Sequence, residues 1–136
     1  MIKDIAHVCL LAKNLGDAER FYCDGLGFRK MFNFVRGGKV VGFYLQVAQT
    51  RYVEIFEHAD AQYFENQSLQ HLCFEVSNLD AVCRRLKEQG IAVTEKALGA
   101  DKSWQAWTAD PSGVKIEFHQ YTGESSQCTG VDCIFD

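Results

Sequence analysis

The strongest constraint on the fold of this chain is an internal repeat, because a duplicated unit fixes which residues occupy equivalent places. His7-Val8-Cys9-Leu10-Leu11-Ala12-Lys13-Asn14-Leu15 aligns with His71-Leu72-Cys73-Phe74-Glu75-Val76-Ser77-Asn78-Leu79, with His, Cys, Asn and Leu identical. An Asp-Ala pair follows each, Asp17-Ala18 and Asp80-Ala81. One residue of slippage then keeps the halves in step. Gly27-Phe28 falls on Gly90-Ile91, and Val53-Glu54-Ile55 falls on Ile116-Glu117-Phe118.

Each half reads as a strand, a helix and then further strands. Ile5, His7, Cys9 and Leu11 alternate with Ala6, Val8 and Leu10 at the period of a strand. Asn14 is placed to cap a helix with Leu15, Ala18, Phe21 and Tyr22 as its apolar stripe and Gly25 as its stop. Asn78 caps the second helix, whose stripe is Leu79, Val82, Cys83 and Leu86 and whose stop is Gly90. Phe28 to Val35 and Val40 to Ala48 flank the hairpin signal Arg36-Gly37-Gly38-Lys39, and Arg51 to Glu57 supplies another strand. In the second half the expected strands are Ile91 to Glu95, Ser103 to Ala109 and Val114 to Tyr121, with a turn at Asp110-Pro111-Ser112-Gly113. The expected organisation is α+β: one domain over residues 1–136, with a first module at about 1–58, a linker at about 59–69, a second module at about 70–121 and a surface tail at 122–136. Modules of this size are too small to hold a core easily alone.

Composition removes several classes of function. Fourteen Lys plus Arg against eighteen Asp plus Glu leave a net charge of −4, so there is no basic surface to neutralise a nucleic-acid backbone. Apolar runs fall far short of the roughly twenty residues that span a bilayer, and Met1-Ile2-Lys3-Asp4 opens no signal peptide, so a cytoplasmic protein is expected. None of the six cysteines forms a Cys-x-x-Cys pair, and reduced thiols are expected. Cys9, Cys23, Cys73 and Cys83 read as small apolar filler; Cys9 and Cys73 share a strand face with His7 and His71, so a thiolate ligand or a role supporting the histidines is the alternative for those two, while Cys128 and Cys133 lie in the polar tail.

Strand alternation gives the repeat a chemical meaning. Val53 and Ile55 flank Glu54, and Ile116 and Phe118 flank Glu117. If the apolar residues face the helices, both glutamates face the other way, together with His7 and His71. A single strand histidine is commonly a satisfied core residue and a single strand glutamate commonly faces water. A pattern that recurs in both halves points instead to a site for a divalent ion such as Zn, Ni, Co, Mn or Fe. His58 and His119 have no counterpart and read as surface histidines. Phe21, Tyr22, Phe43, Tyr44, Trp104 and Trp107 read as core or pocket lining.

The chain resembles the vicinal oxygen chelate superfamily, which includes glyoxalase I, methylmalonyl-CoA epimerase, extradiol dioxygenases and fosfomycin- or bleomycin-resistance proteins. The resemblance rests on Ile5-Ala6-His7-Val8, on Phe21-Tyr22-Cys23-Asp24-Gly25-Leu26-Gly27-Phe28, on His71-Leu72-Cys73-Phe74-Glu75-Val76 and on Asp110 to Phe118. It implies two tandem βαβββ modules whose curved sheets enclose one divalent metal, held by His7, Glu54, His71 and Glu117. This set is closest to the glyoxalase I pattern. Dioxygenases and fosfomycin enzymes use a His-His-Glu set and have no need of Glu54.

The implied function is that of a metal-dependent lyase or isomerase. It would bind vicinal oxygens of a small substrate and shuttle a proton through an enediolate-like intermediate, with Glu117 as the base. The alternatives are a ring-cleaving dioxygenase or fosfomycin-type thiol transferase using His7, His71 and Glu117, and a non-catalytic small-molecule-binding resistance protein. Bacterial glyoxalases that use glutathione carry an arginine where this chain has Leu11, which argues against a glutathione hemithioacetal. Lys13, Arg51, Lys102 and Gln105 are possible anchors for another anionic substrate, with solvated surface roles the plainer reading. Small members are commonly homodimers, so a homodimer with a small-molecule substrate is expected, and the metal site lies within one chain or is shared across the dimer.

Overall fold

A computed structural model describes residues 1–135 of the chain. Two compact units are present: Met1–Phe64 with Pro111–Gly113, and Glu65–Asp110 with the residues from Val114 onward. Each contains a four-stranded mixed sheet and a helix that follows its first strand.

In unit 1, β1 (His7–Ala12) leads into α1 (Leu15–Glu19) and a π-helical continuation over Arg20–Gly25. The Asn14 side chain accepts a hydrogen bond from the Asp17 N–H at 2.9 Å and so satisfies one of the orphan donors of the first turn. The wider turn is closed by Leu26 N–H donating to the Phe21 carbonyl at 3.0 Å, five residues back. This continuation carries Phe21 and Tyr22 into the core, where Tyr22 has no exposed surface. β2 (Arg29–Arg36), β3 (Lys39–Ala48) and β4 (Arg51–Glu57) follow, and the sheet order is β1-β4-β3-β2. The tight turn between β2 and β3 depends on Gly37 and Gly38, whose φ angles of 57° and 76° are costly for residues with a Cβ.

Unit 2 repeats the plan. β5 (Leu72–Glu75) leads into α2 (Leu79–Glu88), capped by the Asn78 side chain accepting from Ala81 N–H at 2.9 Å. Gly90, at φ 71°, is the left-handed residue that ends it. β6 (Ala97–Leu98), β7 (Trp104–Ala109) and β8 (Lys115–Gln120) complete a sheet of order β5-β8-β7-β6, and α3 (Ser126–Thr129) follows. Leu79 and Leu86 of α2 and Ile116 of β8 are fully buried. Burial of this kind stabilises by about 1.5–3 kcal/mol per large side chain.

The expected α+β architecture is present, with three local corrections. The strand expected from Ile5 begins at His7. The strand expected over Ile91 to Glu95 does not form; that stretch is tied to β7 instead by Thr94 N–H to the Trp107 carbonyl at 2.9 Å and by Thr108 Oγ1 to the Ala92 carbonyl at 2.6 Å. Side-chain bonds from threonine there compete with a regular ladder. The expected surface tail is partly docked within unit 2. Ser125 is completely buried and hydrogen bonds to the Ser103 hydroxyl at 3.0 Å, while Asp136 lies outside the described residues. No helix among the described residues is long and apolar enough to cross a membrane.

Candidate metal centre

In both units the last strand pairs in parallel with the first, and this ladder brings the chemistry together. On β1 and β4, Cys9 lies opposite Glu54; on β5 and β8, Cys73 lies opposite Glu117. The next strand contributes an aromatic residue at the matching register, Tyr44 opposite Glu54 and Trp107 opposite Glu117. Val53 and Ile55 are buried on the other face of β4, as are Ile116 and Phe118 of β8. Apolar burial on one face is therefore what aims each glutamate to the other.

In unit 1, His7 Nε2 lies 3.6 Å from Glu54 Oε2. The other imidazole nitrogen, Nδ1, is 3.2 Å from the Tyr44 hydroxyl, with the two rings edge to face at 5.7 Å. A proton on Nδ1 donated to the Tyr44 oxygen leaves the Nε2 lone pair directed toward the carboxylate side. His7 is well exposed and Glu54 much less so, at 43% and 18% of side-chain surface.

Unit 2 has the same pair in a more enclosed setting. His71 Nε2 is 3.1 Å from Glu117 Oε2, and the His71 ring meets Trp107 edge to face at 4.9 Å. Glu117 is buried, with only 7% of its surface exposed. Its second oxygen, Oε1, accepts a hydrogen bond from His119 Nε2 at 2.8 Å. Asp101 Oδ2 lies 3.9 Å from the far nitrogen of His119. Burial alone would push the Asp101 carboxyl up, but hydrogen bonds from Gln127 and Ser103 more than offset it and hold it below the usual carboxylate range. A cavity of about 320 Å³ adjoins these groups, lined by His71, Asp101, Trp107, Glu117, Cys133 and Phe135 among others. That volume accommodates a small molecule.

The readings of three residues change here. His119 is a partly buried member of the Glu117 cluster and not a surface histidine, with only 12% of its side chain exposed. It stands two residues from Glu117 on one strand, so alternation alone was enough to place it on that face. Cys9 and Cys73 are not core filler: both are exposed, on the glutamate face, whereas Cys83 is buried. Desolvation followed by the neighbouring Glu54 pushes the Cys9 thiol up, and desolvation followed by Glu117 pushes Cys73 up to about 12. All six cysteines are free. Tyr44 and Trp107, grouped with the aromatic lining in the sequence, are the ring partners of the two histidines.

The donor chemistry suits a divalent ion. Bonds of about 2.0–2.2 Å to imidazole nitrogen and carboxylate oxygen place neighbouring ligand atoms on the order of 3–3.5 Å apart, close to the spacing in each His and Glu pair. Imidazole plus carboxylate is also the borderline ligand mixture that Zn, Ni, Co, Mn and Fe accept.

Comparison with known proteins agrees with this architecture. A glyoxalase family protein from Enterococcus faecalis is 28% identical, with a TM-score of 0.74 over 86% of this chain and 97% of that one. Lactoylglutathione lyase from Agrobacterium tumefaciens is 19% identical, with a TM-score of 0.65 over 88% of this chain and 94% of its own. The fosfomycin resistance protein FosX from Listeria monocytogenes is 17% identical, with a TM-score of 0.71 over 90% and 96%. At those last two identities the likeness is one of fold. No curated protein matches the chain in sequence. The model of the Glyoxalase/Bleomycin resistance protein/Dioxygenase superfamily matches residues 4–118, and the chain belongs to that superfamily.

Proposed function

We propose that this chain is a divalent-metal-dependent lyase or isomerase of the glyoxalase type, acting on a small oxygenated substrate, with His7, Glu54, His71 and Glu117 as its metal ligands. One observation carries the reading. A histidine at the start of the first strand (His7) or directly before it (His71) stands 3.6 Å and 3.1 Å, respectively, from a glutamate of the last strand of the same unit, and this happens twice in one chain. Members of the superfamily typically bind a divalent metal and small-molecule substrates and often form dimers, which supports the metal, the substrate class and a homodimer. A cytoplasmic location completes the proposal.

The residues divide the work. A bound divalent ion supplies Lewis-acid stabilisation of negative charge on two adjacent substrate oxygens. Glu117 removes a proton from the carbon beside them and returns it to the neighbouring carbon. Burial holds its carboxylate away from water, and His119 fixes Oε1 so that Oε2 is the oxygen on the His71 side. Trp107 and Tyr44 set the two imidazole rings edge-on. Leu11 occupies the place where glutathione-dependent relatives carry arginine, so the substrate is a dicarbonyl, hydroxy acid or thioester lacking that tripeptide.

Incubation with such compounds in deuterated water tests the reading. Deuterium should enter the substrate at the carbon next to the oxygens, and Glu117→Gln should abolish that exchange. Turnover and metal content that both survive Glu54→Ala would favour a three-ligand dioxygenase or thiol transferase instead, and ligand binding without any exchange would favour a sequestering protein.

A further inference from the structure

Unit 2 carries an arrangement that unit 1 lacks. Cys73 lies directly across the parallel ladder from Glu117, and His119 follows Glu117 by two residues on β8, so all three side chains share one face. One ligand atom from each lies within 4.8 Å of the others, the one such trio among the described residues. The two oxygens of Glu117 are divided between neighbours, Oε2 toward His71 and Oε1 toward His119. In unit 1 the matching positions are Cys9, Glu54 and Phe56, so the third donor is replaced by an apolar ring.

We propose that Cys73, Glu117 and His119 form a site for one thiophilic divalent cation such as zinc, cobalt(II) or cadmium, contained wholly within unit 2. Tetrahedral coordination with sulfur at about 2.3 Å and nitrogen or oxygen at about 2.0–2.2 Å puts ligand atoms about 3.3–3.7 Å apart, which small side-chain rotations reach from the present spacing. Sulfur completes a ligand set that favours soft ions over magnesium or calcium. Asp101 stands behind His119: with Nε2 given to the cation in place of its hydrogen bond to Glu117 Oε1, the imidazole proton sits on Nδ1, facing Asp101 Oδ2 across 3.9 Å, on the side where metal-bound histidines commonly have a carboxylate. That carboxylate is itself held, by Gln127 Nε2 at 2.7 Å and by Ser103 N–H at 3.1 Å. As the bond to sulfur forms, the thiol proton leaves to solvent, with no change of oxidation state. This goes beyond the function proposed above, which leaves Cys73 and His119 outside the ligand set.

Cobalt(II) titration of the full chain, followed by its sulfur-to-metal charge-transfer band in the near ultraviolet, tests the site. The expected result is a band that saturates at about one cobalt per chain, disappears in both Cys73→Ser and Cys73→Ala, and remains in Cys9→Ser, His7→Ala and Glu54→Ala. His119→Phe, which copies Phe56, should weaken cobalt binding by about tenfold or more. Cobalt taken up without the band, no uptake at all, or a band that survives both Cys73 variants would overturn the proposal. Cobalt bound without the band would do so while leaving the His and Glu ligand set intact. A Cys73-dependent band, together with turnover indifferent to His7 and Glu54, would instead support the site and remove the earlier reading.

Discussion

The two halves of this chain share one plan, yet their candidate sites differ in depth. Glu54 keeps 18% of its side chain in water and has the His7 imidazole beside it; Glu117 keeps 9% and is gripped by His71 on one oxygen and His119 on the other. A buried carboxylate without partners is costly, so the second histidine is what allows Glu117 to sit where it does. Glu54 needs less support because water provides it. The difference bears on the two roles proposed for these carboxylates, which the repeat alone leaves equal: metal binding only for Glu54, and proton transfer as well for the more buried Glu117.

The largest expected effect comes from removing the two carboxylates separately. Glu117→Gln should lower turnover by on the order of 10³-fold, the usual weight of a general base, whereas Glu54→Gln should act mainly through metal affinity. Steady-state rates at saturating metal separate the two; equal losses would erase the distinction between the units. Next in size are the apolar residues that aim the glutamates. Ile55→Ala in unit 1 and Ile116→Ala in unit 2 should each cost about 2–5 kcal/mol of stability, measured by urea unfolding, because both side chains are almost entirely buried. Third, His119→Phe should reduce nickel affinity by about 10-fold to 100-fold in calorimetric titration, with partial recovery in His119→Gln, whose amide still donates to Glu117. The smallest effects belong to the caps. Asn14→Ala and Asn78→Ala should each cost about 1 kcal/mol, and a loss at only one would mean that the helix starts are less alike than the paired Asn-x-x hydrogen bonds indicate.

The strand, helix and sheet plan was legible in the sequence because period-two alternation and asparagine caps agree in both halves; the glycine stop holds at Gly90, whereas in unit 1 Gly25 lies inside the π-helical turn and Gly27, at φ 80°, is the left-handed residue that follows. Where signals conflict, reading fails. Ile91 to Glu95 alternates like a strand, yet Thr94 and Thr108 bond to backbone and keep a regular ladder from forming. Of the site, the His and Glu positions followed from alternation around Val53, Ile55, Ile116 and Phe118. His119 was missed because the repeat was used as the test of importance, and a residue matched by Phe56 fails that test by construction. Asp101 and Ser125 could not be found this way at all. Their roles depend on a turn and on a docked tail, for which neither period two nor period 3.6 gives a signal.

The central claim is that the paired histidines and glutamates hold a divalent metal, and its most direct test is metal analysis of the protein as purified, followed by nickel titration of the wild type and of the His7→Ala and Glu117→Ala variants. Bound divalent metal is expected in the wild type, and its loss, with at least about a hundredfold weaker nickel binding, in each variant. Wild-type protein that is metal-free and takes up neither nickel, zinc, cobalt nor manganese, or variants from both units that bind nickel as tightly as the wild type, would contradict it.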